Sequence, residues 1–391
     1  MQPKVSVCIP IYNVSRYLAS CLNSVMSQTM KEIEIICVED ASSDGSRKIL
    51  QSCTAGDSRF KIILHEKNLG THASRKEAVL SAQGKYIMFL DSDDELVPHA
   101  CETAFKAMER NGTDAVNFGV QEMDFQGNPR ESRKENRTET IDRMEDNWIH
   151  LYDQRVIKSW AIWNKIYRAE LCKQAFDQME DGYFLLAEDV YFFFVFGYLA
   201  GSFSMIDVPL YKYRAGVGIF GRIRQAINLE QYAVLLSEKR VSDAIFRFYE
   251  RKPDGEDYKP IIQRHAADAF FQQSVLWWHE YLRNEEKAKG LQLFREVWGE
   301  EKLSSALTCL SGKMKVRMQN LNKEKAKLQR EKQKVQNENK CLKKELDRIK
   351  DSTGYKMLKK YYHMRDTVKN SFPGRVSKKK KSPDTVIPPA K

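Results

Sequence analysis

The sequence predicts an α/β fold built around a mostly parallel sheet. Through residues 1–120, short apolar runs typical of buried strands alternate with segments whose apolar residues recur at helical spacing. Such alternation indicates a doubly wound sheet with helices on both faces. The predicted strands are 4–10, 33–38, 61–64, 85–90 and 115–120, and the predicted helices are 15–28, 43–53, 71–82 and 98–110.

Segments of different composition follow this sheet. We expect residues 121–220 to complete the sheet domain as an acceptor-binding half, beside a ligand-binding half at 1–120. Residues 221–312 have helical patterns and no chemical motif, so we interpret them as a helical extension. A heptad region at 313–351 and a basic tail at 352–391 complete the chain.

The positive charge of the chain lies in its C-terminal part. The formal net charge is +11, yet residues 313–391 carry 25 Lys and Arg against 8 Asp and Glu. The remainder is mildly acidic, and its hydrophobic content is that of a globular protein. No apolar run approaches the roughly 18 residues of a membrane span. The tail is therefore the part expected to attract anionic partners.

The cysteines and the N-terminus indicate a cytosolic protein. Eight cysteines are scattered without a CxxC pair, and Cys8 and Cys37 lie inside apolar, strand-like runs. This pattern favours reduced, buried thiols over disulfides or a zinc site. Because a strand is predicted from residue 4, we expect no secretory signal peptide.

Four acids within five residues follow the predicted strand 85–90. Asp91 and Asp93 are two positions apart, so in an extended chain their carboxylates point the same way. Mg²⁺ or Mn²⁺ usually takes one or two such carboxylates together with substrate phosphates. An acidic loop at the start of the next helix is the alternative, and it suits Asp94 and Glu95 better. The Asp91 and Asp93 pair predicts a divalent-cation site.

Polar and aromatic residues also follow the other predicted strands. Ligands of open α/β sheets bind beyond the carboxyl ends of the strands, so we expect these residues to lie together. Together, these residues suit a nucleoside diphosphate. An aromatic plane can stack on the base, an acid can accept from base or ribose, and an arginine and a metal can hold the phosphates. Packing, turn and surface roles explain each residue singly, but not their joint placement. The residues are Pro10, Tyr12, Asn13, Glu39, Asp40, Asn68, Gly70 and Arg75.

Segments 5–13, 38–46, 68–70 and 91–94 resemble the motifs of family 2 glycosyltransferases with the GT-A fold. The resemblance implies a Rossmann-like, mostly parallel sheet flanked by helices, and transfer of a sugar from a nucleoside-diphosphate sugar with inversion. It implies that Tyr12 stacks on the base and that Asp40 hydrogen-bonds it. Asp91, Ser92 and Asp93 match the DxD motif that holds ribose and metal, with Asp94 as a further ligand.

Two positions depart from the family pattern. Ala41 stands where the family has a turn glycine, and Lys76 follows Arg75 where the family has asparagine. The second departure leaves the role of position 76 open.

Glu188 and Asp189 stand at the head of a strongly apolar predicted helix. Burial of two acids costs free energy unless they have a functional role or interact with a helix N-terminus, where negative charge is stabilised. Inversion also requires a base that takes the proton of the acceptor hydroxyl. The resemblance implies that a Glu-Asp pair at this place supplies it. We assign Asp189 as the base and Glu188 as a supporting residue.

Two side chains of residues 121–220 carry further expectations. Aromatic residues near a sugar site can stack on pyranose rings, but we expect Trp160 to belong to the core. Arg214 either contacts the diphosphate or forms a structural ion pair, and the sequence leaves both open.

The heptad region at 313–351 predicts a coiled coil and, through it, self-association. Apolar residues recur at every seventh position, but the companion positions are mostly polar, so we expect a weak parallel homodimer. A solvated charged helix is the alternative. The apolar series is Leu321, Leu328, Val335, Leu342 and Ile349, and the companion series is Met318, Lys325, Lys332, Asn339 and Leu346.

The tail predicts a membrane surface as partner. Aromatic residues and lysines alternate through 355–369, and a run of four lysines follows at 378–381. Such a segment suits an anionic bilayer, and we expect no nucleic acid, although nucleic acid and a merely solvated tail are the alternatives. We expect a cytoplasmic protein, peripheral at the inner face of the plasma membrane.

The sequence thus predicts a metal-dependent, inverting glycosyltransferase. The donor would be a UDP-sugar, and the acceptor a glycan or lipid-linked molecule in cell-surface polysaccharide synthesis. A sugar-nucleotide-processing nucleotidyltransferase would need a glycine-rich phosphate loop after the first strand, where Pro10 and Tyr12 stand instead. A non-catalytic coiled-coil scaffold would not need the acids that the sequence retains.

Overall fold

The computed structural model describes residues 2–130, 140–218 and 226–371, without the side chains of 305–326, 366 and 368–371. The chain divides into two units, Met1–Leu307 and Thr308–Lys391. The first contains the sheet and the helical extension. Of the predicted features, the lysine run at 378–381 lies outside the described residues.

The described strands of the first unit form one mixed sheet. Their order across the sheet is β3-β2-β1-β4-β8-β6-β9-β5, and β7 pairs with β9. The strands are β1 (Val5–Ile11), β2 (Ile33–Glu39), β3 (Phe60–Leu64), β4 (Tyr86–Phe89), β5 (Glu95–Leu96), β6 (Ala115–Met123), β7 (Ile141–Glu145), β8 (Lys165–Arg168) and β9 (Ser202–Arg214).

Four strands at one side of the sheet are parallel. β1 lies between β2 and β4, and β3 pairs with β2. β1, β2 and β4 are almost entirely buried, as expected for strands covered on both faces. Because the strands are parallel, their carboxyl ends meet at one edge. The predicted α/β sheet is confirmed, but it is mixed rather than mostly parallel: among the described strands, parallel and antiparallel pairings are equal in number, and β8 runs antiparallel to both of its neighbours.

Helices cover the sheet and continue beyond it. Short π-helical turns at Gln263–Ala267 and Trp277–Tyr281 interrupt the helical extension. The α-helices are α1 (Ser15–Met26), α2 (Ser46–Thr54), α3 (Thr71–Ser81), α4 (Ala100–Asn111), α5 (Trp148–Asp153), α6 (Ala169–Gln178), α7 (Glu188–Leu199), α8 (Leu229–Leu236), α9 (Glu238–Glu250), α10 (Gly255–Ile262), α11 (Asp268–Leu276), α12 (Lys287–Trp298), α13 (Glu300–Asp351) and α14 (Thr353–Ser371).

Helix α7 is the apolar centre of the first unit. Every residue from Val190 to Gly197 is buried, because one side of the helix packs on the sheet domain and the other on the helical extension. Tyr249 of α9 reaches it and donates a hydrogen bond to the carbonyl oxygen of Phe194. A helix held on all sides gives its first residues, Glu188 and Asp189, a fixed position.

The second unit is helical. The heptad side chains Leu328, Val335, Leu342 and Ile349 are 54–65% exposed on α13. Because the described heptad side chains are exposed in this single chain, self-association stays a prediction. Among the described residues, no helix combines the length and apolarity that a membrane crossing requires.

Candidate active site

A cleft of about 420 Å³ opens at the carboxyl edge of the parallel strands. The loops after β1, β2 and β4, the first turns of α3 and α7, and the end of β9 contribute to its walls. The structure thus brings together most of the residues that the sequence singled out. Those that line the cleft are Pro10, Tyr12, Asp40, Arg75, Asp91, Ser92, Asp93, Asp94, Glu188 and Asp189.

Tyr12 offers the cleft an accessible ring. It follows β1 directly and is 49% exposed. The next residue, Asn13, has a left-handed backbone (φ 49°), and its Oδ1 accepts a hydrogen bond of 2.8 Å from the backbone N–H of Ser43. Asn13 therefore ties the loop after β1 to the loop after β2, which fixes the site of the neighbouring ring.

Asp40 is buried and organises the loop after β3. Its Oδ1 accepts from the backbone N–H of Leu69 and its Oδ2 from that of Gly70, both at 2.8 Å. Nδ1 of His65 lies 2.6 Å from Oδ1. A carboxylate has about four lone-pair positions, so these contacts leave roughly one for a ligand.

Glu39 does not reach the cleft. Its side chain is fully buried and accepts hydrogen bonds from the backbone N–H of Ser42 at 2.6 Å and from Nε of Arg47 at 2.7 Å. Our expectation that Glu39 contacts the donor is replaced by a structural role in the turn after β2. The physical reason is that two protein donors, rather than solvent or a ligand, satisfy both carboxylate oxygens.

Arg75 joins two acidic elements of the cleft. Its Nη2 lies 2.6 Å from Oδ1 of Asp91, and its Nη1 lies 2.6 Å from Oε1 of Glu188. Burial alone would lower the pKa of Arg75, but the charges of these two acids raise it above its usual range. Nε is buried and has no hydrogen-bond partner within the described residues. The cleft therefore contains a permanent cation whose position is fixed on two sides.

Asp93 and Asp94 differ in their surroundings. Both oxygens of Asp94 accept protein hydrogen bonds, from Tyr211 Oη at 2.8 Å and from the backbone N–H of Arg214 at 2.6 Å. The carboxylate of Asp93 has no such partner in the part of the chain that the structure describes. Burial and the neighbouring Asp91 raise the pKa of Asp93 to about 6. We therefore expect Asp94 to hold the loop, and Asp93 to be available to a ligand.

The donor set fits a cation that is shared with substrate. Within the described ranges, no group of three or more His, Cys, Asp or Glu side chains is arranged to hold a metal ion. Mg²⁺ and Mn²⁺ are commonly held by only one or two carboxylates, with substrate phosphates and water completing the shell. Asp91 and Asp93 provide this smaller set.

Arg214 forms a structural ion pair. It is 4% exposed, its Nη2 lies 2.8 Å from Oε1 of Glu95, and its Nε donates to the backbone carbonyl of Asp93 at 2.8 Å. Of the two roles that the sequence left open, the geometry favours the structural one. The arginine holds the acidic loop against β9.

Glu188 and Asp189 begin α7 at the wall of the cleft. Burial raises the pKa of both carboxyl groups, and the nearby Arg75 opposes that rise. Glu188 is in direct contact with the guanidinium, whereas Asp189 accepts a hydrogen bond of 2.9 Å from the N–H of Val190 and forms no ion pair within the described residues. Asp189 is therefore the better candidate for a base, since no cation occupies its oxygens, whereas the guanidinium of Arg75 occupies one oxygen of Glu188.

Sequence reasoning missed an aromatic wall. The ring of Trp163 lies parallel to that of Tyr213, with centroids 5.2 Å apart, and 4.6 Å from that of Tyr211. Trp163 and Tyr213 line the cleft. Their spacing in the sequence gave no signal, because the contact joins a loop before β8 to β9.

The prediction that Trp160 belongs to the core is wrong. Its side chain is 40% exposed. Nζ of the fully buried Lys165 donates to the carbonyl oxygens of Ser159 and Ala161 and fixes this loop. The fixed loop directs Trp163 to the cleft and leaves Trp160 at the surface.

The fold and the cleft define a GT-A-like protein: a mixed sheet with an acidic loop after its fourth strand and an acidic helix start facing it. Residues 6–173 match the family model described as "Glycosyl transferase family 2". The matched segment contains most of the strands of the sheet, and its similarity to this family confirms the resemblance found in the sequence.

Two bacterial proteins are similar to this chain over about half of its length. The chain is 32% identical over 215 residues to "Putative glycosyltransferase EpsH" of Bacillus subtilis, covering 54% of this chain and 61% of the relative. It is 31% identical over 233 residues to "Glycosyltransferase GlyA" of Streptococcus pneumoniae, covering 56% of this chain and 32% of the relative. The chain thus matches less than two thirds of the length of each of these relatives.

A solved structure shares the fold. The Staphylococcus aureus protein TarS, residues 1–349, solved in complex with UDP, superposes with a TM-score of 0.56 at 21% sequence identity. The match covers 78% of this chain and 83% of that one. The likeness confirms a GT-A-like fold.

Proposed function

We propose that this protein is a metal-dependent, inverting glycosyltransferase that acts in cell-surface polysaccharide synthesis. It would transfer a sugar from a nucleoside-diphosphate sugar, a UDP-sugar by preference, to a hydroxyl of a glycan or lipid-linked acceptor. One observation carries the proposal: Arg75 connects Asp91 of the acidic loop with Glu188, beside Asp189, within one cleft. The names of the bacterial relatives and the UDP complex of TarS support the substrate class.

The donor would occupy the edge of the parallel strands. Tyr12 would stack on the base, and the remaining lone pair of Asp40 would accept from it. Asp91 and Asp93 would hold a Mg²⁺ or Mn²⁺ ion, which when bound supplies positive charge beside the diphosphate. Arg75 places a second, permanent positive charge at the same end of the cleft.

Asp189 would act as the general base. The acceptor oxygen forms a bond to the anomeric carbon while the bond from that carbon to the diphosphate oxygen breaks. The electron pair of the broken bond leaves with the diphosphate, and the hydroxyl proton passes to the Asp189 carboxylate. Attack from the side opposite the leaving group inverts the anomeric configuration. Trp163 and Tyr213 would offer the acceptor sugar a flat apolar surface.

The two alternative functions have less support. The segment after β1 contains Pro10 and Tyr12 rather than a glycine-rich phosphate loop, which disfavours a nucleotidyltransferase. A non-catalytic scaffold gives no reason for Asp91, Asp93 and Asp189 to share one cleft.

We further propose that the second unit attaches the enzyme to the inner face of the plasma membrane. Exposed aromatic and apolar side chains of α14, among them Tyr355, Leu358 and Tyr361, would enter the bilayer surface. Lysines of this region would contribute about 1 kcal/mol each near anionic lipids. The exposed heptad residues of α13 would pair two copies of the chain.

A donor screen tests the proposed function. The purified chain is incubated with UDP-, GDP-, CDP- and TDP-sugars, with Mn²⁺ or with EDTA, and release of the nucleoside diphosphate is measured. We expect metal-dependent release from at least one UDP-sugar. Absence of metal-dependent binding or turnover for every nucleotide sugar would contradict the proposal.

A further inference from the structure

Tyr183 lies against the loop that follows β3. It belongs to the segment between α6 and α7, and its Oη donates a hydrogen bond of 3.2 Å to Oδ1 of Asn68. Its ring covers Gly70 so closely that a Cβ atom at that position would lie 3.1 Å from Cε2 of the tyrosine. Gly70 also has φ +89°, which favours glycine. The glycine therefore allows both the turn and the approach of the ring.

This loop is the one that Asp40 organises. The backbone N–H of Gly70 donates to Oδ2 of Asp40, and Asp40 and Tyr12 both line the cleft. Burial and the neighbouring Tyr12 and Asp40 raise the pKa of Tyr183. Through Gly70 the tyrosine is connected to Asp40 at the nucleoside end of the cleft, although it comes from a different part of the chain and lines a neighbouring cavity together with Asn68 and His72.

The exposure of the ring distinguishes a binding role from core packing. Tyr183 is 42% exposed and Tyr12 is 49% exposed, so both rings keep a large area in contact with solvent. Core tyrosines of this unit, such as Tyr191 and Tyr211, are fully buried. A half-exposed ring whose hydroxyl is bound to Asn68 has a fixed orientation and an apolar surface left for a planar ligand.

We propose that Tyr183 is a further donor-binding residue, which forms a second aromatic wall of the nucleoside subsite beside Tyr12. This inference rests on the proposed function, since it takes the ligand to be a nucleoside diphosphate. A bound base would cover the exposed ring of Tyr183. The ring would then contact the π face of the base instead of water. The hydrogen bond to Asn68 would position the ring, and the ring would provide the affinity.

Calorimetric titration of the full chain with UDP, GDP, CDP and TDP, each with Mn²⁺, tests the inference. Loss of one base–aromatic contact weakens binding by roughly five- to a hundredfold, so we expect Y183A to bind the preferred diphosphate about tenfold more weakly. Y183F keeps the ring and should stay within about threefold of the wild type. F125A removes a similarly exposed aromatic side chain that does not line the cleft, and it should bind like the wild type.

The outcomes separate this inference from the proposed function. If the wild type binds a nucleoside diphosphate and Y183A binds it equally well, the assignment of Tyr183 is overturned while the proposed function stands. If the wild type binds none of the four diphosphates, both are overturned. A melting temperature of Y183A within about 2 °C of the wild type shows that the variant is folded, as expected for a half-exposed side chain.

Discussion

The guanidinium of Arg75 lies 2.6 Å from the carboxylate of Asp91. Asp91 belongs to the loop after β4, whereas Arg75 belongs to α3 and reaches Glu188 at the start of α7 with its other terminal nitrogen. One buried side chain therefore sets the distance between the proposed metal-binding loop and the proposed catalytic helix.

Replacement of Arg75 by lysine should impair both activity and stability. Lysine keeps the positive charge but cannot bridge two carboxylates with a planar fork. Breaking a buried ion pair costs about 3–5 kcal/mol when one partner is left without a counter-charge, and R75K should lose a part of that because it keeps one contact. We expect kcat/KM to fall at least about tenfold. Denaturant unfolding and steady-state kinetics check this, with R110K on the exposed end of α4 as control.

Replacement of Asp93 by asparagine should abolish metal-dependent turnover and leave the fold intact. Within the described residues its carboxylate forms no hydrogen bond with the side chain of another residue and no ion pair, so little stability depends on it. Affinity for Mn²⁺ in the presence of UDP should fall at least about tenfold, because one of two charged ligands is lost. Normal turnover of D93N would contradict its assignment as a metal ligand.

Replacement of Asp94 by alanine should have the opposite pattern. Tyr211 Oη and the backbone N–H of Arg214 would lose their acceptors in a buried setting. Unsatisfied buried donors cost about 1–3 kcal/mol each, so the free energy of unfolding should fall by a few kcal/mol. A D94A variant that is as stable as the wild type but no longer binds Mn²⁺ would restore Asp94 as a ligand.

The activity should depend on the ionisation of Asp189. Burial raises the pKa of this carboxyl group above the ordinary value, which is near 4. A base must be deprotonated to accept the hydroxyl proton. The logarithm of kcat/KM should therefore rise with pH, with unit slope, and level off above an apparent pKa higher than that of a free aspartate.

Substitution of Asp189 identifies the group behind this pH dependence. D189N should remove the pH-dependent limb together with nearly all turnover, a loss of roughly 10²–10⁴-fold. UDP binding by D189N should remain near that of the wild type, because the base contacts the acceptor. Retention of the limb in D189N, and its loss in E188Q, would assign the base to Glu188.

Deletion of residues 313–391 should separate catalysis from attachment. The sheet, the cleft and the helical extension all precede this segment, so turnover of a soluble acceptor should persist. The truncated protein should bind vesicles that contain anionic lipid more weakly than the full chain does. Added salt should weaken the vesicle binding of the full chain, because the attraction is electrostatic. Equal vesicle binding by both proteins would reject the membrane role, and analytical ultracentrifugation tests the proposed dimer in the same pair.

The sequence predicted the first half of the fold because its signals are local. Strands such as β1 and β2 are buried on both faces and read as unbroken apolar runs. The residues that follow them meet at one edge because parallel strands place their carboxyl ends together. These two facts were enough to collect Tyr12, Asp40 and Asp93 in one cleft.

The remaining features depend on contacts between distant parts of the chain. Glu39 and Asp94 look like site residues in the sequence. In the fold, however, Nε of Arg47 donates to an oxygen of Glu39. The backbone N–H of Arg214 donates to an oxygen of Asp94. Trp163 lines the cleft and lies in a loop that Lys165 holds through the carbonyl oxygen of Ser159. The hydrophobic periodicity of the sequence does not predict such pairings, because they form only when distant segments pack together.

The central claim is that the cleft grips a nucleoside diphosphate through a cation held by Asp91 and Asp93. Calorimetric titration of the wild type with UDP, first with Mn²⁺ and then with EDTA, tests it most directly. We predict tight binding with Mn²⁺ and a loss of at least about tenfold with EDTA, as expected when a bridging cation is removed. Equal affinity under both conditions would contradict the claim.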